Sequence, residues 1–291
     1  MIEPFRLVGV FNVLPTPFHD DGRLDLPGVG ALVRANIDAG VAGLTALGVM
    51  GEAAELSEGE RAEVVAAVVA ASGSLPVVVG VSGASADLVA GRARDAARVG
   101  VRALMVSASS SLGLAEAVDA AGTGGLPVVI QDYPAGSGVV LSQEAIAAVA
   151  DGCDLVVGIK AEAPPTSGLI AAFRRSHPRL GVLGGLGGLF LIDELRAGAT
   201  GVMTGFALPE RLVSIVTAFP ADPQAAERTW VGLLPLMRLE AFQPFSLAAR
   251  KEVWRLRGVI GSARCRRAGA ELDDRARSDV AKAFANVSAA R

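Results

Sequence analysis

Lys160 ends an apolar run, VVGIK (residues 156–160), and Glu162 and the pair Pro164 and Pro165 follow it. An amine held among apolar neighbours has its charged form disfavoured by desolvation. The neutral amine is a nucleophile toward carbonyl carbon, with which it forms a Schiff base. The plainer alternative is a lysine that ends a strand and reaches water. The chain strongly prefers arginine to lysine, and arginine cannot form an imine, which tilts the balance slightly toward chemistry. Glu162 would serve as a general acid or base if it faces the same side as Lys160; otherwise it is an ordinary rim or interface carboxylate.

Other chemistries find less support. His19 and His177 sit in polar connecting segments, PFHDDG and RRSHPR, without partners at metal-ligand spacing, so no metal is expected and both are assigned to the surface. Cys153 and Cys265 lie far apart with no C-x-x-C spacing, which fits a reducing cytoplasm and neither a disulfide framework nor a zinc site. A formal net charge of −3 and the lack of a basic block with interleaved aromatics exclude a nucleic-acid partner. No apolar run reaches the ~18 residues of a membrane span, and the first residues do not read as a signal peptide. A cytoplasmic protein with no membrane partner is the expectation.

The elements that must position Lys160 are short. Candidate strands are 8–14, 43–47, 77–81, 103–106, 128–131, 155–160, 181–183 and 201–204, and Ala-rich stretches of helical periodicity alternate with them. Ser57 with Glu60 forms a capping box, and Ser142 is a second N-cap. The 291 residues suit one α/β barrel of about 250 residues with an appendage. A doubly wound sheet would place a nucleotide-binding glycine turn after its first strand, where this chain has PTPFHDDGRLD. The fold class is therefore α/β, a (β/α)8 barrel over residues 1–220, with a C-terminal extension of about three helices over 221–291. Lys160 then stands at the C-terminal end of the sixth strand, the rim on which such barrels carry their chemistry.

Five segments in this order, LPTPF (14–18), GVMGEAAELSEGER (48–61), QDYPAGSG (131–138), VVGIK (156–160) and AGATGVMTG (197–205), resemble the dihydrodipicolinate synthase and N-acetylneuraminate lyase family of Schiff-base aldolases. The resemblance spans nearly the whole chain. QDYPAGSG and IKAEAPP look most like the branch of 2-keto-3-deoxy-L-arabinonate dehydratases. The resemblance implies Lys160 as the imine-forming residue, a small 2-oxo acid as substrate, no cofactor, and a homo-oligomer, a tetramer or dimer.

The departures from the family pattern are specific. Where the best-known members carry a hydroxyl pair that holds the substrate carboxylate, this chain has Val49 and Met50, and the backbone N–H groups of Met50 and Gly51 are the remaining candidates for an anion nest. The catalytic tyrosine position holds Gln131, and the substrate-binding arginine position holds Gly136. Tyr133 follows Gln131 by two, and i and i+2 of a strand share a side. Either residue is a candidate for the relay beside the lysine, and Tyr133 is equally readable as packing under its loop. Asp132 is a weaker candidate that caps or holds the loop. In GGLGGL (184–189) no lysine or arginine accompanies the glycines, so a tight turn leaving room for substrate is preferred to a phosphate cradle, with Gly185 as its substrate-side residue. The losses argue against a lysine-biosynthesis synthase. They favour a 2-keto-3-deoxy sugar acid dehydratase or aldolase, with two alternatives: a carbon–carbon lyase or synthase using another aldehyde, and a non-catalytic 2-oxo-acid-binding paralogue.

Overall fold

The computed structural model describes residues 5–241 and 245–289. The expected barrel start at Met1, the helix ends at Phe242 and Pro244, and the extension's end at Arg291 lie outside these residues.

Eight strands among the described residues, β1 (Gly9–Val13), β2 (Gly43–Ala46), β3 (Val77–Gly80), β4 (Ala103–Val106), β5 (Val128–Asp132), β6 (Val156–Ala161), β7 (Gly181–Gly184) and β8 (Gly201–Thr204), pair in sequence order into a closed parallel barrel. All eight expected strands are present. β5 and β6 each run one residue further than expected, because the ladder continues through the pairing of Asp132 with Ala161.

Helices wrap the outside: α1 (Leu26–Asp38), α2 (Glu58–Ser72), α3 (Ala86–Arg98), α4 (Leu114–Gly122), the single turn α5 (Pro134–Ser137), α6 (Gln143–Gly152), α7 (Thr166–Ser176), α8 (Leu191–Arg196) and α9 (Pro209–Ala218). Their starts follow from local chemistry. Ser57 Oγ accepts from Glu60 N at 3.3 Å while a Glu60 carboxylate oxygen accepts from Ser57 N at 3.0 Å, closing the expected box at α2. Ser142 Oγ accepts from Ala145 N at 3.1 Å at α6. No helix among the described residues is long and apolar enough to cross a membrane.

The core has two layers, as strand alternation requires. One set of side chains, including Phe11, Val78, Met105, Val129, Leu183 and Met203, fills the barrel interior. The other, with Leu44, Leu104, Ile130, Ile159 and Val202, packs outward against the helices.

The expected helices after the barrel are α10 (Pro223–Ala241), α11 (Ser246–Leu256) and α12 (Asp274–Ala289). Residues 246–254 of α11 are all buried, charged Arg250, Lys251 and Glu252 included. Burying consecutive charges is costly unless each is paired. Lys251 Nζ meets Glu52, in the loop after β2, as a fully buried ion pair, and donates to Arg264 O at 2.7 Å. Glu52 Oε2 in turn accepts from the backbone of Arg266 and Arg267 at 2.7 and 2.8 Å. The ammonium of Lys251 and the guanidinium of Arg266 each stand 4.4 Å from the ring centre of Phe18. One carboxylate thus fastens the C-terminal segment to the mouth of the barrel.

His19 is exposed as expected, whereas His177 is only partly so. Its Nε2 lies 3.2 Å from Asp151 and its ring packs on Phe173, because the turn after α7 folds back onto its own helix.

Candidate active site

Two i, i+2 pairs on neighbouring strands build the site. Gln131 is in register with Lys160 across β5 and β6, so both side chains enter the barrel. Tyr133 and Glu162 follow each by two and return to the same side. All four line one cavity of about 160 Å³ at the C-terminal mouth. Pockets for drug-sized ligands run to roughly 300–1,000 Å³, so this one suits a small molecule.

Lys160 is 5% exposed, and its Nζ lies 2.9 Å from Glu162 Oε2. The same oxygen accepts from Gln131 Nε2 at 2.7 Å, while Oε1 accepts from Leu186 N at 3.3 Å. Besides its apolar neighbours, the ammonium thus has a carboxylate partner, which the K-x-E spacing places on its side of the strand. Glu162 faces the cavity, with both oxygens held. The side-chain amide of Gln131 is bonded to that carboxylate.

Gly185 makes this position for Glu162 possible. A methyl group on it would stand 2.4 Å from Glu162 Oε1. Its contribution is the space occupied by a carboxylate, and the turn after β7 also presents Leu186 N–H to it.

Tyr133 is half-buried against the cavity, and its hydroxyl has no hydrogen-bond partner among the described residues. Burial, aided by the negative charge of Glu162, pushes the phenol above its ordinary value, against the pull of Arg250 and Arg267.

Val49 and Met50 line the opposite wall, on a single 3-10 turn from Val49 to Gly51. Gly51 does not face the cavity: its N–H donates to Gly48 O at 2.9 Å and its carbonyl accepts from Thr16 Oγ1 at 2.6 Å. The expected two-residue anion nest is therefore corrected for Gly51, whose N–H closes the turn.

Asp132, one residue along from Gln131, points to the other side of the strand. Its carboxylate oxygens are buried with no hydrogen-bond partner, so it does not hold the loop through its side chain as expected. Burial, then Glu162, push it up to about 6. Glu194 behind β7 accepts from Thr166 Oγ1 at 2.8 Å, and burial pushes it up to about 7.

Sequence reasoning missed Arg250, which enters the cavity from α11 beside Ser246. A signal was present: Ser246, Ala249, Arg250 and Val253 fall at i, i+3, i+4 and i+7, one helical stripe, and an arginine on a stripe of small and apolar residues is aimed at the interior.

A closed (β/α)8 barrel with a lysine–carboxylate pair in a small cavity at its C-terminal mouth is the architecture of a barrel enzyme. The chain belongs to the dihydrodipicolinate synthetase family, whose model matches residues 6–287. It is 30% identical over 288 residues to L-2-keto-3-deoxyarabonate dehydratase of Azospirillum brasilense, covering 94% of this chain and 92% of that one. It is 32% identical over 249 residues to 4-hydroxy-tetrahydrodipicolinate synthase of Sorangium cellulosum, covering 82% of each. The crystal structure of dihydrodipicolinate synthase from Rhodopseudomonas palustris superposes with a TM-score of 0.91 at 32% identity, over 97% of this chain and 99% of that one.

Proposed function

We propose that the protein is a Schiff-base-forming lyase for a small 2-oxo acid, a 2-keto-3-deoxy sugar acid dehydratase or aldolase. The observation that carries this reading is the 2.9 Å contact between Lys160 Nζ and Glu162 inside a cavity of about 160 Å³. The similarity to a 2-keto-3-deoxyarabonate dehydratase over nearly the whole chain supports the substrate class.

Glu162 takes a proton from the ammonium, and the free amine of Lys160 attacks C2 of the 2-oxo acid. The carbonyl oxygen takes one proton from the attacking nitrogen and one back from Glu162 and leaves as water, giving a protonated imine, an electron sink that acidifies C3. Glu162, a carboxylate again and oriented by Gln131 and Leu186 N–H, is the base for the C3 proton. Expulsion of the C4 hydroxyl as water then completes a dehydration. If the C4 hydroxyl is deprotonated instead, its electrons break the C3–C4 bond and an aldehyde leaves. Tyr133, with its hydroxyl open to the cavity, is the proton relay at C4 for either course. The substrate carboxylate lies against the Val49–Met50 wall, within reach of the Met50 N–H. The family resemblance also carries the proposal of a homo-oligomer, a tetramer or dimer, which light scattering on the purified protein checks.

The test is reduction with borohydride in the presence of pyruvate and then of a panel of 2-keto-3-deoxy sugar acids, read by intact mass and peptide mapping. The expected result is a substrate-dependent adduct on Lys160 that disappears in Lys160→Ala. If no member of the panel gives an adduct, the lyase reading fails, and a non-catalytic binding protein takes its place.

A further inference from the structure

We infer that Arg250 is a second anion-binding residue of the cavity, and that the ligand carries a carboxylate at the end of its chain away from the 2-oxo group. The inference rests on the Schiff-base reading for the position of C2 and adds the chemistry of the far end.

Arg250 is 4% exposed. Its one ion pair among the described residues is long, Nε to Glu240 Oε2 at 3.5 Å, and Nε has no hydrogen-bond partner. Neither terminal nitrogen donates to a described residue. The guanidinium instead runs past two glycines: a methyl group on Gly205 would stand 3.1 Å from Nη1, and one on Gly187 would stand 3.5 Å from Nη2. Both glycines and Arg250 line the same cavity as Lys160. A buried guanidinium with open donors costs free energy unless an anion completes it. Its planar fork matches a carboxylate with two parallel bonds.

Glu240 is an incomplete partner. Its Oε2 accepts from Ala207 N at 3.1 Å and its Oε1 has no partner, and burial pushes this carboxyl up to about 7. Near neutral pH it compensates Arg250 only in part.

Position selects which end of the ligand meets the arginine. With C2 on Lys160 of β6 and C1 against Val49 and Met50 after β2, the remaining chain extends toward the turns after β7 and β8, where Gly187, Gly205 and Arg250 stand. A terminal hydroxyl there would leave the guanidinium compensated only in part, by Glu240 and Glu162; a carboxylate completes it. The ligand class is a 2-oxo acid with a second, distal carboxylate, of which a 3-deoxy sugar diacid is the hydroxylated form.

The experiment compares 2-oxoglutarate with 2-oxopentanoate, two five-carbon 2-oxo acids that differ in ending in a carboxylate or a methyl group. The concentration giving half-maximal borohydride trapping on Lys160 is measured for each and for pyruvate, in the wild type, Arg250→Gln and Arg250→Lys. Wild type is expected to trap 2-oxoglutarate at about tenfold to a hundredfold lower concentration, the range of a charge-assisted bond. Arg250→Gln is expected to remove that preference, weakening 2-oxoglutarate about tenfold or more beyond any effect on pyruvate, and Arg250→Lys restores part of it. The wild-type comparison needs no variant to fold. Equal trapping of the two acids by the wild type overturns the inference. So does an Arg250→Gln protein that weakens pyruvate as much as 2-oxoglutarate, since the arginine would then hold C1. If neither pyruvate nor any member of the sugar-acid panel gives an adduct, the lyase reading has failed, and calorimetric binding of the same two acids decides the arginine's role without an imine: the same preference supports it, and its absence overturns it.

Discussion

The ring of Tyr133 lies directly over Gly136: a methyl group on Gly136 would stand 2.2 Å from Cε1 and 2.4 Å from Cδ1. The space that a side chain at 136 would need is thus filled by the ring of Tyr133. No side chain at 136 is compatible with this placement of Tyr133.

Tyr133→Phe keeps the packing and removes only the hydroxyl. If the phenol is the relay, turnover falls by about 10²–10⁴-fold while trapping on Lys160 persists. Gly136→Ala must push the ring aside and is expected to lower turnover similarly. Unchanged turnover in Tyr133→Phe would take the tyrosine out of the mechanism.

Glu162→Gln is expected to slow both imine formation and the step at C3, by about 10²–10⁴-fold in turnover. Gly185→Ala is the complementary variant. It leaves every titrating group in place but displaces the Glu162 carboxylate, so its activity should fall toward that of Glu162→Gln. Activity near wild type in Gly185→Ala would show that the carboxylate's position is not critical.

Lys251 and Glu52 form a fully buried pair between α11 and the loop after β2. Removing one member leaves the other charge uncompensated, a loss of about 3–5 kcal/mol. Lys251→Met should show that loss in urea unfolding, and Glu52→Gln combined with it should recover part. A loss below about 1 kcal/mol for the single variant would mean that water reaches the pair.

Stability should fall as pH rises from about 4 to 7. Burial holds Glu194 and Glu240 at about 7 against an ordinary 4.5, and burial with Glu162 holds Asp132 at about 6 against 3.8. In that window the folded chain keeps protons that the unfolded chain has released, so the stability present below the unfolded values is lost as pH climbs through the folded ones. Melting at pH 5.5 should therefore exceed melting at pH 7.5. Glu194→Gln, which keeps a partner for Thr166 without titrating, should narrow the difference. The same slope in the variant would exclude Glu194 as its source.

Much of the site was legible in the chain because it is local. Strand alternation alone puts Lys160 with Glu162 and Gln131 with Tyr133 on one side each, and short apolar runs between helical stretches arrange the two strands as neighbours. Ser57 and Glu60 marked the start of α2 for the same reason: the groups that bond are three residues apart. The sequence by itself therefore determined the strands, the helix starts, the barrel class and the lysine at the rim. What only the tertiary structure decided involves residues brought together by barrel closure and the return of the C-terminal helices. Arg250 reaches a cavity whose lysine is on β6, and Lys251 meets Glu52 across the mouth. The Gly51 N–H turns inward to Gly48, and Gly185 yields its side-chain space to Glu162. No periodicity encodes these contacts, because periodicity reports which way a side chain faces on its own element and not which distant charge or carboxylate the fold places opposite it.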